Sequence, residues 1–140
     1  MKTLSSILLL STLSFALLAH AHSPSKSARI FISSPNHGAE MTSPLRVTFS
    51  IQGFKVVPTG TKGRERHLGG HHILLVDTPL PDLDEPIPIT DQIIHLSKGE
   101  REILLTLPPG EHTLQLLLGD EEHESFEPPL YSKPITILIQ

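Results

Sequence analysis

The sequence predicts an all-β protein: an immunoglobulin-like antiparallel β-sandwich of about seven strands, preceded by a signal peptide. Three observations predict it. Short runs of period-two hydrophobicity recur along the chain, thirteen prolines and nine glycines punctuate them, and no amphipathic helix of useful length follows the first 21 residues. Strand side chains alternate between faces, so strict alternation puts one face on a core and the other in water. Proline removes a backbone donor and restricts the residue before it, which excludes helix from most connections. Short strands at regular spacing with turn signals between them are the pattern of a sandwich.

Ala28 to Ser33 reads as the first strand, closed by Ser34-Pro35-Asn36-His37-Gly38. Leu45 to Gln52 alternates apolar and polar residues without a fault and is the clearest strand of the chain. His71 to Asp77 and the shorter Gln92 to Leu96 follow, separated by a loop, Thr78 to Pro88, rich in Pro and Asp. Arg101 to Leu107 ends at Pro108-Pro109-Gly110, and Glu111 to Leu118 ends at Gly119-Asp120. Ser132 to Ile139 is the seventh strand, with Ile135, Ile137 and Ile139 on one face. Aromatic residues are few, so the core is built mainly from Leu, Ile and Val.

Residues 1–21 have the order of features a signal peptidase reads: Lys2, an apolar run from Leu4 to Leu18, and the small-residue site Ala19-His20-Ala21. Serines and threonines interrupt the run, which therefore falls short of the roughly 20 apolar residues of a membrane helix. The expected division is a signal peptide over 1–21 and a single β-sandwich domain over 22–140, a size that buries a core without staples. The expected destination is the periplasm, with full secretion as the other outcome of export, and the mature chain is not expected to be membrane-embedded.

The chain has no cysteine, which excludes a disulfide framework, a thiolate metal site and a lipid-modified cysteine anchor. The formal net charge of −4 is modest, and no basic stripe suits nucleic acid.

Histidine is the unusual feature. Eight of the nine lie in the mature part: His22, His37, His67, His71, His72, His95, His112 and His123. Imidazole is the commonest protein metal ligand, and without cysteine it would have to carry any zinc or copper site. No H-E-x-x-H motif is present. His71 and His72 are neighbours on a strand, so one of the two is expected to face away from any shared site. If the seven strands alternate in direction, His22, His67, His71, His72, His95 and His123 gather at one end of the sandwich, joined by Asp120, Glu121 and Glu122. His37 and His112 fall at the other. The candidate metal ligands are therefore His71, His72, His95 and His123, with His22 a weaker candidate that cleavage after Ala21 would make an N-terminal, copper-chelating residue. His112, with the parity of Leu114 and Leu116, reads as a structural residue at a core edge, His37 as a solvated turn residue and His67 as an exposed loop residue.

The segments Gly70-His71-His72-Ile73-Leu74-Leu75-Val76-Asp77, Ile93-Ile94-His95 and Leu107-Pro108-Pro109-Gly110-Glu111-His112-Thr113-Leu114-Gln115-Leu116-Leu117-Leu118-Gly119-Asp120, with His123 and Pro128-Pro129, resemble the bacterial domain-of-unknown-function family 4399. Phe31 to Ala39 and Val56 to Gly60 look like the opening segments of that family. The resemblance implies a short exported protein, mostly of Gram-negative bacteria. The family pattern has three consecutive histidines where this chain has His71, His72 and Ile73, and a second histidine where it has Phe126. Both departures fall at the histidine-rich end.

Three function classes follow. The first is an exported binding module whose histidine-lined end holds copper or zinc. The second is a non-metal interaction module whose loops meet an envelope protein or glycan. The third, a metal-dependent enzyme, has the least support: there is no Gly-x-Ser-x-Gly elbow, no Ser/His/Asp set and no phosphate loop. The expectation is a protein that is not an enzyme, with no catalytic residue assigned.

Overall fold

The computed structural model describes residues 23–140. The signal-peptide reading of 1–21 and the candidate ligand His22 lie outside the described residues. Nine strands follow: β1 (Arg29–Ser34), β2 (Glu40–Met41), β3 (Leu45–Gln52), β4 (Lys55–Val56), β5 (Gly69–Val76), β6 (Ile93–Leu96), β7 (Glu102–Leu105), β8 (Gly110–Gly119) and β9 (Ile135–Ile139). All seven expected strands have a counterpart. The additions, β2 and β4, are two residues long and carry no periodicity to be read. No helix among the described residues is long and apolar enough to cross a membrane.

The strands form a three-stranded sheet, β1-β3-β7, and a six-stranded sheet, β2-β9-β8-β5-β4, with β6 also on β5. The seven principal strands divide three and four between the sheets, as in an immunoglobulin-like sandwich. After β1 the chain crosses to the large sheet, where β2 runs parallel to β9, and then returns to the small sheet at β3.

The alternation of β3 meets its expected partners: Leu45, Val47 and Phe49 are buried, whereas Arg46 is exposed. They pack with Leu74, Val76, Leu114, Leu116, Leu118, Ile137 and Ile139 in the main core between the sheets. Strand β5 differs, because all eight of its residues are buried. Its inner parity (Leu74, Val76) joins the main core. Its outer parity (Ile73, Leu75) packs with Ile87, Ile93 and Leu117 into a second core, against which Leu80 and Leu83 also rest. The Pro- and Asp-rich loop, expected only as a connection, thus lids the outer face of the large sheet. Full burial of each such aliphatic side chain contributes about 1.5–3 kcal/mol, so the lid is an apolar layer with a fixed seat.

Strand directions within the large sheet place the site. Strands β6 and β8 both run antiparallel to β5, so the start of β5 and the ends of β6 and β8 lie together at one end of the sheet.

Candidate metal centre

His71 sits on β5 opposite Gly119 of β8, with the outward parity of Ile73 and Leu75. His95 lies opposite Ile73 on β6, and His123 lies just beyond the end of β8. His71 is fully buried, while His95 and His123 are half-buried. Their rings converge. His71 Nε2 is 3.1 Å from His95 Nδ1, His95 Nδ1 is 3.0 Å from His123 Nδ1, and His123 Nδ1 is 3.4 Å from His71 Nε2. These three are the one group of potential metal ligands found among the described residues.

Each ring is held by its own local structure. The His95 Nε2–H donates to the Pro88 carbonyl at 3.0 Å, which leaves Nδ1 of the neutral ring as a bare lone pair facing the other two histidines. The same lid holds His123, because the Ile87 N–H donates to the His123 carbonyl at 2.8 Å. His123 has a φ of +63°, a conformation that costs a side-chain-bearing residue about 1–2 kcal/mol. A tight Asp120–Glu124 turn offsets that cost: Asp120 Oδ1 accepts from the N–H groups of Glu122 and Glu124, and the His123 N–H donates to the Asp120 carbonyl. Burial pushes the Asp120 carboxyl up, with the neighbouring Glu122 charge adding to it.

Room for His71 comes from Gly119. A Cβ built on that glycine would stand 2.7 Å from Ile73 Cδ1, closer than packed carbons tolerate, and a tight 3.3 Å from His71 Cε1. Burial, then the neighbouring His95, His123 and His72, lower the His71 pKa to about 4. Burial likewise lowers that of His95, partly opposed by its bond to Pro88 and reinforced by His123. At neutral pH His71 and His95 are therefore neutral, and each ring keeps one nitrogen lone pair.

His72 does not join this group, which corrects its inclusion among the candidate ligands beside His71. One residue further along the pleat, it faces the main core, its ring 5.3 Å from that of Phe49, and its Nδ1 lies 3.1 Å from the Glu100 carbonyl. His67 ends a short 3-10 helix, Gly63–His67, and its Nε2 accepts from Arg66 Nε. His37 Nδ1 accepts from the Thr136 N–H. His112 is 8% exposed and fully partnered: Nδ1 meets Asp77 Oδ2 at 2.6 Å and Nε2 meets the Pro108 carbonyl at 2.8 Å.

Sequence reading missed Pro88, Ile87 and Gly119 as parts of the site. Gly119 carried a signal in ending a strand, but nothing local pointed it at His71.

Fold and site together define an immunoglobulin-like β-sandwich with a partly buried triad of histidines at one end of its larger sheet. The chain belongs to the family described as "Domain of unknown function (DUF4399)", whose model matches residues 47–140, a span that contains all three histidines. No curated protein matches it. Among solved structures it is similar to one titled "Structures of Clostridium thermocellum CbhA fibronectin(III)-like modules", at 13% identity and a TM-score of 0.43, over 80% of this chain and 45% of that chain. This chain thus spans less than half the length of that relative.

Proposed function

We propose that this protein is an exported metal-binding module that holds zinc through His71 Nε2, His95 Nδ1 and His123 Nδ1. The observation that carries the reading is the mutual approach of three ring nitrogens at 3.0, 3.1 and 3.4 Å. Three imidazoles on one tetrahedral zinc, at about 2.0–2.1 Å each, have nitrogens about 3.3–3.4 Å apart. Without a cation the arrangement is electrostatically awkward. The His95 Nδ1 lone pair can accept one proton well, so the third nitrogen either crowds that proton or opposes a lone pair. One cation satisfies all three at once.

The donor chemistry favours zinc over copper. Three mutually adjacent nitrogens are a compact facial set, whereas copper(II) prefers a tetragonal plane with donors across from one another. The bond from His95 Nε2 to a carbonyl is the kind of outer-sphere support that fixes a ligating imidazole. Export is supported by the features of residues 1–21, and a thiol-free ligand set suits an oxidising compartment. The absence of a nucleophile motif favours a binding role over catalysis.

Thermal unfolding of the untagged mature protein tests this. Free zinc at about a hundred times Kd should raise the melting temperature by roughly 10 °C, with one zinc bound per chain by calorimetry. If zinc neither co-purifies nor shifts the transition at micromolar free metal, the reading is wrong.

A further inference from the structure

We infer that the metal held by this triad keeps one coordination position free of protein and binds a small exogenous donor there, a water, hydroxide or similar monodentate anion. This inference rests on the metal-binding reading and deepens it.

The nitrogen triangle is small. A metal lying in the plane of three imidazole nitrogens, at about 2.0–2.1 Å from each, requires edges of about 3.5–3.6 Å. All three edges here are shorter, at 3.0, 3.1 and 3.4 Å. Edges shorter than a planar site requires would leave a bound ion room for a fourth donor beside the three nitrogens. A planar three-coordinate site, closed by its histidines alone, does not fit these edges.

Among the described residues no fourth protein donor joins the three: the group of potential ligands stops at His71, His95 and His123, and the other described histidines are engaged. His72 points into the main core, towards Phe49. His67 accepts from Arg66, His37 from Thr136, and both nitrogens of His112 are occupied. The nearest acidic turn spends Asp120 Oδ1 on two backbone N–H groups.

Access is one-sided: His71 forms a fully buried floor, whereas His95 and His123 are only partly buried, so those two rings are the side of the cluster nearer solvent. Three protein ligands with one open place is the arrangement of zinc sites that exchange a ligand, in contrast to structural sites closed by four.

Cobalt(II) serves as the spectroscopic probe and azide as the donor. The full-length chain, processed as it is in the cell and loaded with one equivalent of cobalt(II), should show the visible bands of a four-coordinate ion. Titration with sodium azide should change those bands and saturate at one azide per metal. His67→Ala should leave that response unaltered. Bands that persist unchanged in a large excess of azide, with cobalt still bound, mean that the protein closes the position; the inference then fails while the metal-binding reading stands. Failure to take up either cobalt or zinc overturns both.

Discussion

The two ends of the sandwich treat histidine in opposite ways. At one end His112 is held between an acid and a carbonyl, Asp77 and Pro108, and Asp77 also caps the Thr113 N–H through its other oxygen. Both partners are acceptors, so the protonated ring donates from each nitrogen, to the carboxylate and to the carbonyl. At the other end, His71, His95 and His123 turn their nitrogens on one another, and His71 Nδ1 is buried with no partner at all. A buried imidazole that fastens a fold looks like His112: it satisfies itself locally and leaves nothing over. The three converging imidazoles face one another instead of a carboxylate and a carbonyl, and the proposed cation would be their shared partner.

Alanine scanning of the two ends gives the largest expected contrast. His71→Ala, His95→Ala and His123→Ala should each weaken zinc binding by more than about a hundred-fold, beyond the 10–100-fold typical of losing an outer-sphere partner. Competition with a chromophoric chelator measures this, and wild-type zinc affinity retained in all three variants would remove the triad from consideration. Next in size is Gly119→Ala. Its new methyl group forces His71 or Ile73 to move, which should cost about 1–3 kcal/mol of stability and reduce zinc affinity about ten-fold or more by displacing one ligand. The third effect is confined to the opposite end: His112→Ala should cost about 1–3 kcal/mol in urea unfolding and leave zinc affinity unchanged.

The pH response sharpens the same contrast, because the two ends have opposite signs. The Asp77 hydrogen bond raises the His112 pKa above its ordinary 6.5, against the effect of burial. Its stabilisation is therefore complete below about pH 6.5 and is lost as pH rises through the raised folded value. The deficit of His112→Ala should accordingly shrink between acid and alkaline pH. For His71 the folded value is lowered to about 4, so between about pH 6.5 and 4 the unfolded chain takes a proton that the folded chain refuses. Metal-free wild-type protein should lose stability across that window, and zinc affinity should fall with it as protons compete for the ligands. The smallest expected effect belongs to His72→Phe. It removes a buried, unpartnered Nε2 but also the bond from Nδ1 to the Glu100 carbonyl, and it places an aromatic ring against Phe49, so stability should change by less than about 1.5 kcal/mol and zinc binding not at all.

Strand positions were legible because each is a local pattern: Leu45–Gln52 announces its own two faces. Strand β5 was legible as a strand but not as one buried on both sides, since the layer over its outer face comes from Leu80, Leu83 and Ile87 in a loop with no periodicity. Parity indicated that only one of His71 and His72 could face a shared site. It did not say which, because a continuous apolar run offers no polar face to orient it. His71 and His95 are 24 residues apart, and His95 and His123 are 28 apart, so no short motif could announce the triad. Alternation of strand direction brought the right chain ends together, but only actual ring orientations separate a ligand set from a crowd of histidines.

By itself the sequence determined the β-class of this protein, its punctuation into short strands and its lack of cysteine. Those properties depend on residue identity and near neighbours, which the chain states directly. Tertiary structure decided that His71 faces the outer sheet surface, that a proline-rich loop lids that surface, and that Pro88 and Gly119 seat the triad. These outcomes depend on contacts between segments far apart in the chain. Their physical cause is the pairing of β5 between β6 and β8, which turns three scattered imidazoles into neighbours and one of two adjacent histidines into the floor of a site.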